Sequence, residues 1–240
     1  MIRSIVTPEL RARIRGLALP IALAFGRMGL TPNALTVLGF GIAVVAGFAA
    51  SQQAWIAAGL LVIFGGIFDL FDGALARATN RVSRLGAFLD SVFDRAGEAV
   101  LYLGIGLACL AQDFERGAFL AAAAMGASFM VSYARAKSES LGFTPGTGMA
   151  NVGVAPREVR LVLLTIGLLL TGALGGIVVP YNVYAAIDGN TWAGRPMLTA
   201  ALGLIAVLAT ITTIQRIVHV TRQTPPETTG PASPGGDHHP

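Results

Sequence analysis

Four aspartates lie within a 26-residue stretch, DLFDGALARATNRVSRLGAFLDSVFD: Asp69, Asp72, Asp90 and Asp94. Their spacing suits metal and phosphate chemistry. Asp69 and Asp72 are three residues apart and Asp90 and Asp94 four apart, so each pair shares one face of a helix. The polar turn from Thr79 to Arg84 centres near residue 81, and the midpoints of Asp72/Asp90 and Asp69/Asp94 are 81 and 81.5. Folded as a helical hairpin, the stretch sets Asp72 against Asp90, with Asp69 against Asp94 about one turn deeper, ~13 Å from the tip. Facing carboxylates repel one another, and all four stay ionised only with multivalent cations between them. Oxygen ligands with no His or Cys nearby select hard ions, Mg²⁺ or Mn²⁺. Two such ions about 4 Å apart are the arrangement used for in-line displacement at phosphorus. Gly73 and Gly86 flank the acids on opposing helices and leave room for a ligand, and Arg77, one turn toward the tip, is placed to meet a phosphate. The same acids have two other readings: internal ion pairs with Arg77 and Arg95, or the proton path of an ion-coupled transporter. Transporters usually carry repeated halves around a mid-membrane site, whereas here all four acids fall in one hairpin without a second copy.

The elements that position these acids belong in a bilayer. The 240 residues are 54% hydrophobic and 12% charged, with a mean hydropathy of +0.67, too apolar for an ordinary soluble domain. An ionised group at mid-membrane costs roughly 3 kcal/mol even on the lower scales, so four acids there need compensation. Six runs are long enough to span as helices: 33–50, 55–78, 84–110, 117–137, 157–180 and 197–219. The fold class is an all-α membrane protein of six spans, preceded by an amphipathic surface helix. Residues 1–28 form that juxtamembrane segment, 29–220 the membrane domain, and 221–240, nearly free of apolar residues, a disordered tail. Pro20 interrupts the first apolar run, which argues against a signal peptide. Thr31 is the N-cap and Pro32 the first helical residue of the first span. The 30 glycines predict close helix packing.

Fifteen of the 17 Lys and Arg residues fall on one side of this layout, leaving Arg116 and Arg195 on the other. The positive-inside bias makes both termini and the acid-bearing hairpin tip cytoplasmic, at the cell membrane. Trp55, Tyr181, Tyr184 and Trp192 fall at the outer interface. Arg95 and Glu98, three apart, are expected to pair on one helix face. The single cysteine, Cys109, excludes an internal disulfide and reads as a packing residue. Nothing points to a nucleic-acid partner or an organic cofactor.

The pattern DxxDGxxAR, eight residues, then GxxxDxxxD resembles the full signature of the CDP-alcohol phosphotransferases, with all eight fixed positions present from Asp69 to Asp94. The six-span layout resembles that family too. The resemblance implies that Asp69, Asp72 and Asp90 bind two divalent metals, Mg²⁺ or Mn²⁺, with Asp94 close to them and acting as general base. It implies that Gly73, Ala76, Arg77 and Gly86, with Asp69 and Asp72, bind the CDP group of a CDP-diacylglycerol-type lipid, or its ether analogue. A homodimer among membrane lipids is likewise implied.

The acceptor is read from a basic set: Arg135 and Lys137 end the fourth span, Arg157 and Arg160 open the fifth, and Arg216 ends the sixth. As a functional set they form a phosphate pocket for a phosphorylated alcohol; as a topological one they express the positive-inside bias. SYARAKSESLG followed by APREVRLVLL is similar to segments of the phosphatidylinositol-phosphate synthase branch, which implies inositol 1-phosphate as acceptor. Glycerol 3-phosphate is the alternative.

Overall fold

A computed structural model describes residues 8–143, 149, 152–175 and 194–223. The described chain runs through seven α-helices: α1 (Pro8–Arg27), α2 (Pro32–Ser51), α3 (Trp55–Ala78), α4 (Arg84–Leu110), α5 (Glu115–Ser140), α6 (Arg157–Gly175) and α7 (Arg195–Thr221). Local chemistry sets several boundaries. Thr31 caps α2, its Oγ1 accepting from Ala34 N at 3.2 Å, and Pro32 follows in the first turn, as the sequence predicts. Asn80, at φ 53°, makes the left-handed step out of α3, and Ser83 then caps α4 by accepting from Gly86 N at 3.0 Å.

Five helices, α2, α3, α5, α6 and α7, are long and apolar enough to cross a membrane. At 27 residues α4 is also long enough, and it differs by the charges of Asp90, Asp94, Arg95 and Glu98 along its first half. Large apolar side chains such as Val45, Phe48, Leu60, Leu107, Phe119 and Val207 are exposed around the outside of the bundle. Hydrocarbon solvates such a belt where water would not, and the protein is a multi-pass, all-helical membrane protein.

Helix neighbours define a closed ring: α2 packs on α3, α3 on α6, α6 on α7, α7 on α5, α5 on α4, and α4 back on α2. The hairpin helices α3 and α4 are thus each packed on α2, which leaves a gap between the faces that carry the acids. Glycine permits the tight α2–α4 contact. A methyl on Gly97 would lie 2.9 Å from Ala43 Cβ, and one on Gly104 would run into the backbone of Gly47. Leu101, Tyr102, Ile105, Leu164, Leu168, Leu202 and Ile205 fill the far half of the ring. Outside the ring, α1 lays Ala18 and Ala22 against Phe71 and Leu75 of α3.

Two expectations change. Trp55 sits not at an interface but inside the core, 1% exposed, because α6 covers it through Gly172, where a methyl would lie 3.2 Å from Trp55 Cβ. Arg95 does not pair with Glu98, as described below. Cys109 is buried and free, as its packing role requires. Residues 1–7, 176–193 and 224–240 lie outside the described residues, and with them Tyr181, Tyr184, Trp192 and most of the tail.

Candidate active site

The gap between α3 and α4 holds two neighbouring spaces. The outer one is a cleft of about 270 Å³ at the hairpin end, close to the lower limit of the roughly 300–1,000 Å³ of small-molecule sites. Asp72, Gly73, Ala76 and Arg77 of α3 line one wall, Gly86 and Asp90 of α4 the other, and Asn33 and Thr36 of α2 the floor. The inner space is a narrow crevice of about 50 Å³ bordered by small residues, Gly39, Ala43, Gly65 and Gly97, with Asp69, Asp94, Glu98 and Arg157 among its lining. Thr36 borders both. The depth order is the one the hairpin midpoint gives, with Asp72 and Asp90 toward the tip and Asp69 and Asp94 farther in.

Arg157 joins the inner pair. Its Nη2 lies 3.0 Å from Asp69 Oδ2 and 2.7 Å from Asp94 Oδ1. Two oxygens held by one nitrogen can be no farther apart than those two contacts laid end to end, so the two acids do face each other. Asp94 also meets Arg95 Nη1 at 3.5 Å. A methyl on Gly39 would crowd Asp69 Oδ1 at 3.2 Å, so α2 comes close to the acid there. Asp72 is 6% exposed and accepts a 2.7 Å hydrogen bond from Thr36 Oγ1 on its Oδ2. Thr36 escaped the sequence reading. Its signal was a hydroxyl one turn inside an apolar span, directly after the Thr31 cap.

The basic residues take different partners. Arg157 points into the acids. Arg160 is 1% exposed and grips Glu98 through Nε and Nη2, each at 3.0 Å, so that Glu98 takes its partner from α6 and not from Arg95 on its own helix. Arg216, 4% exposed, donates from Nε to Val152 O at 3.1 Å and from Nη1 to Val131 O. Arg135 is exposed and pairs with Glu139 at 2.8 Å along α5, and Lys137 is exposed beside it.

The donor set suits a hard divalent cation. Among the described residues no three acids already converge as a coordination shell, since the Arg157 guanidinium stands between Asp69 and Asp94. Yet all four aspartates border these two adjoining spaces, and the two guanidinium groups paired with them balance only half of their charge. Oxygen donors with excess negative charge inside a membrane domain fit Mg²⁺ or Mn²⁺.

A family model for CDP-alcohol phosphatidyltransferases matches residues 29–224. The chain belongs to this family. It is an enzyme of the CDP-alcohol phosphatidyltransferase type. Among its relatives, the archaetidylinositol phosphate synthase of Pyrococcus horikoshii is 33% identical over 87% of this chain and 93% of that protein. The phosphatidylinositol phosphate synthase of Cutibacterium acnes is 32% identical over 85% and 91%. The crystal structure of Mycobacterium tuberculosis phosphatidylinositol phosphate synthase with CDP-DAG bound superimposes with a TM-score of 0.70 at 25% identity, covering 90% of this chain and 98% of that one. The same mycobacterial enzyme in complex with manganese and citrate gives 0.70 at 25% identity. In this phosphatidyltransferase the signature residues Gly73, Ala76, Arg77 and Gly86 all line the outer cleft. Arg77 folds back over Gly73, where a methyl would lie 3.2 Å from its Nη1.

Proposed function

We propose that this phosphatidyltransferase moves the phosphatidyl-type group of a CDP-linked lipid, CDP-diacylglycerol or its ether analogue, onto inositol 1-phosphate and releases CMP. The observation that carries the reading is the position of Arg157. A guanidinium delivered by α6 reaches Asp69 and Asp94 at the inner end of the aspartate site, so a phosphate recognised there brings its own alcohol beside Asp94. The names of the relatives supply the identity of that alcohol.

In this reading the outer cleft holds the CDP group, with Arg77 toward its phosphates and Gly73, Ala76 and Gly86 giving room for its close approach. Asp69, Asp72, Asp90 and Asp94 would hold two divalent ions, which when bound supply positive charge to the pyrophosphate. Asp94 accepts the proton of the acceptor hydroxyl through a carboxylate oxygen. The deprotonated oxygen forms its bond to the lipid-side phosphorus as the bond to the CMP oxygen breaks, and CMP leaves with that electron pair. Arg157, Arg135, Lys137 and Arg216 make up the acceptor-phosphate side. Arg160 is left out, because its donors are committed to Glu98 and to Ala155 O at 3.2 Å. The asymmetry of Lys and Arg supports a site and termini that face the cytoplasm.

The test offers purified protein CDP-diacylglycerol and Mg²⁺ with a panel of alcohols, then identifies the lipid formed. Phosphatidylinositol phosphate and stoichiometric CMP are expected with inositol 1-phosphate. Product from glycerol 3-phosphate alone would overturn the acceptor and leave the reaction class standing.

A further inference from the structure

Glu98 and Arg160 form the most enclosed ion pair among the described residues, each side chain 1% exposed. Both carboxylate oxygens are bound by the guanidinium, which also donates from Nη1 to Ala155 O at 3.2 Å. Stability alone does not account for such a pair. Removing two charges from water generally costs as much as their pairing returns, and apolar residues of similar volume often serve a fold as well or better.

Placement gives the pair another role. Glu98 is one turn beyond Asp94 on α4, and Arg160 is three residues beyond Arg157 on α6, so each pair shares a helix face. The two helices are joined by two rungs, Arg160 to Glu98 within the bundle and Arg157 to Asp94 in the site, where Arg157 also reaches Asp69 of α3. In the ring α6 packs on α3 and α7, so its reach to α4 is made by these long side chains. A two-pronged guanidinium–carboxylate contact fixes direction as well as distance. The chain entering α6 is fastened from the other side too. Ala155 N donates to Thr212 Oγ1 at 2.9 Å, Val154 N to Gln215 Oε1 at 3.2 Å, and Gly153 turns at φ 118° against Thr212.

We propose that the Glu98–Arg160 pair is the positioning element of the transfer site, holding α6 in rotation and register so that Arg157 lies across Asp69 and Asp94. This rests on the functional reading above. Arg160 then acts through Arg157 without touching substrate, and its influence falls on the acceptor side, away from the outer cleft where the CDP group is held.

The deciding experiment compares wild type with the double variant Glu98→Leu/Arg160→Met, which removes both charges together and keeps volume. Folded, monodisperse protein is assayed with Mg²⁺, and kcat and KM are determined for each substrate. The expected result is a thermal midpoint near that of wild type, an unchanged KM for CDP-diacylglycerol, and a roughly 10²-fold lower kcat/KM for inositol 1-phosphate, the size of loss a small misplacement produces. Wild-type kinetics in the folded double variant would overturn the proposal alone, whereas a wild-type enzyme that releases no CMP would overturn the functional reading and this inference with it. Where the double variant yields no folded protein, Arg160→Lys decides. It keeps the charge and loses the fork, so it must lower acceptor kcat/KM, and a wild-type value would sink the proposal.

Discussion

Thr36 on α2 donates a 2.7 Å hydrogen bond to Oδ2 of Asp72 on α3, where both residues are buried. The bond fixes which carboxylate oxygen of Asp72 remains for another partner. Groups behind a metal ligand tune its affinity, typically by about 10–100-fold when removed. Thr36→Val keeps the shape and deletes the donor. We expect the Mg²⁺ concentration for half-maximal CMP release to rise roughly 10–100-fold, with a stability loss of about 1 kcal/mol. An unchanged metal titration would show that the bond serves the fold only.

Asp94 is held by guanidinium groups on two sides, Arg157 at 2.7 Å and Arg95 at 3.5 Å, so its carboxylate is oriented before substrate arrives. Asp94→Asn preserves the shape and removes the proton acceptor. Loss of a general base costs roughly 10²–10⁴-fold in rate. The expected outcome is turnover reduced by at least that lower figure, in protein that still folds and still binds the CDP-lipid. Near-normal turnover would take the base role from Asp94.

Arg157→Lys asks whether the fork or the charge matters. A lysine could keep one contact in the inner site but cannot present the planar guanidinium that suits phosphate oxygens. Acceptor KM should rise by roughly tenfold, about 1.4 kcal/mol, while KM for CDP-diacylglycerol stays level, as initial-rate kinetics against each substrate will show. A selective rise in the donor KM would place Arg157 on the wrong substrate.

Most of the helix boundaries were legible because hydropathy and capping act locally: Thr31 and Pro32 end up where their short-range chemistry puts them. The pairing of Asp69 with Asp94 was legible too, since helix periodicity and a central turn fix which residues meet. What the sequence could not disclose were contacts between segments far apart in the chain. Glu98 has Arg95 three residues away, yet its partner is Arg160, 62 residues on, and only the ring order of helices brings α6 within reach. Thr36 and Asp72 are likewise joined across 36 residues. Trp55 was misread for a related reason: an aromatic at a helix end suits an interface, but the helix that covers it comes more than 100 residues later.

The α2–α4 crossing yields a prediction with opposite signs at two glycines of one helix. A methyl on Gly104 would collide with the carbonyl of Gly47, and backbone cannot move aside as a side chain can. Gly106, half a turn away, has nothing within 4 Å of the same position. Alanine in an open helical site removes glycine's backbone freedom and stabilises by roughly 0.5–1 kcal/mol, whereas overfilling a packed site costs typically about 1–3 kcal/mol. Gly106→Ala should therefore raise the thermal midpoint in detergent slightly and leave activity intact. Gly104→Ala should lower it, and should also lower turnover, because α4 carries Asp90 and Asp94 while α2 carries the Thr36 that holds Asp72. Prying those helices apart shifts the acids relative to one another. Equal effects of the two substitutions would mean that the crossing is not set by glycine contact.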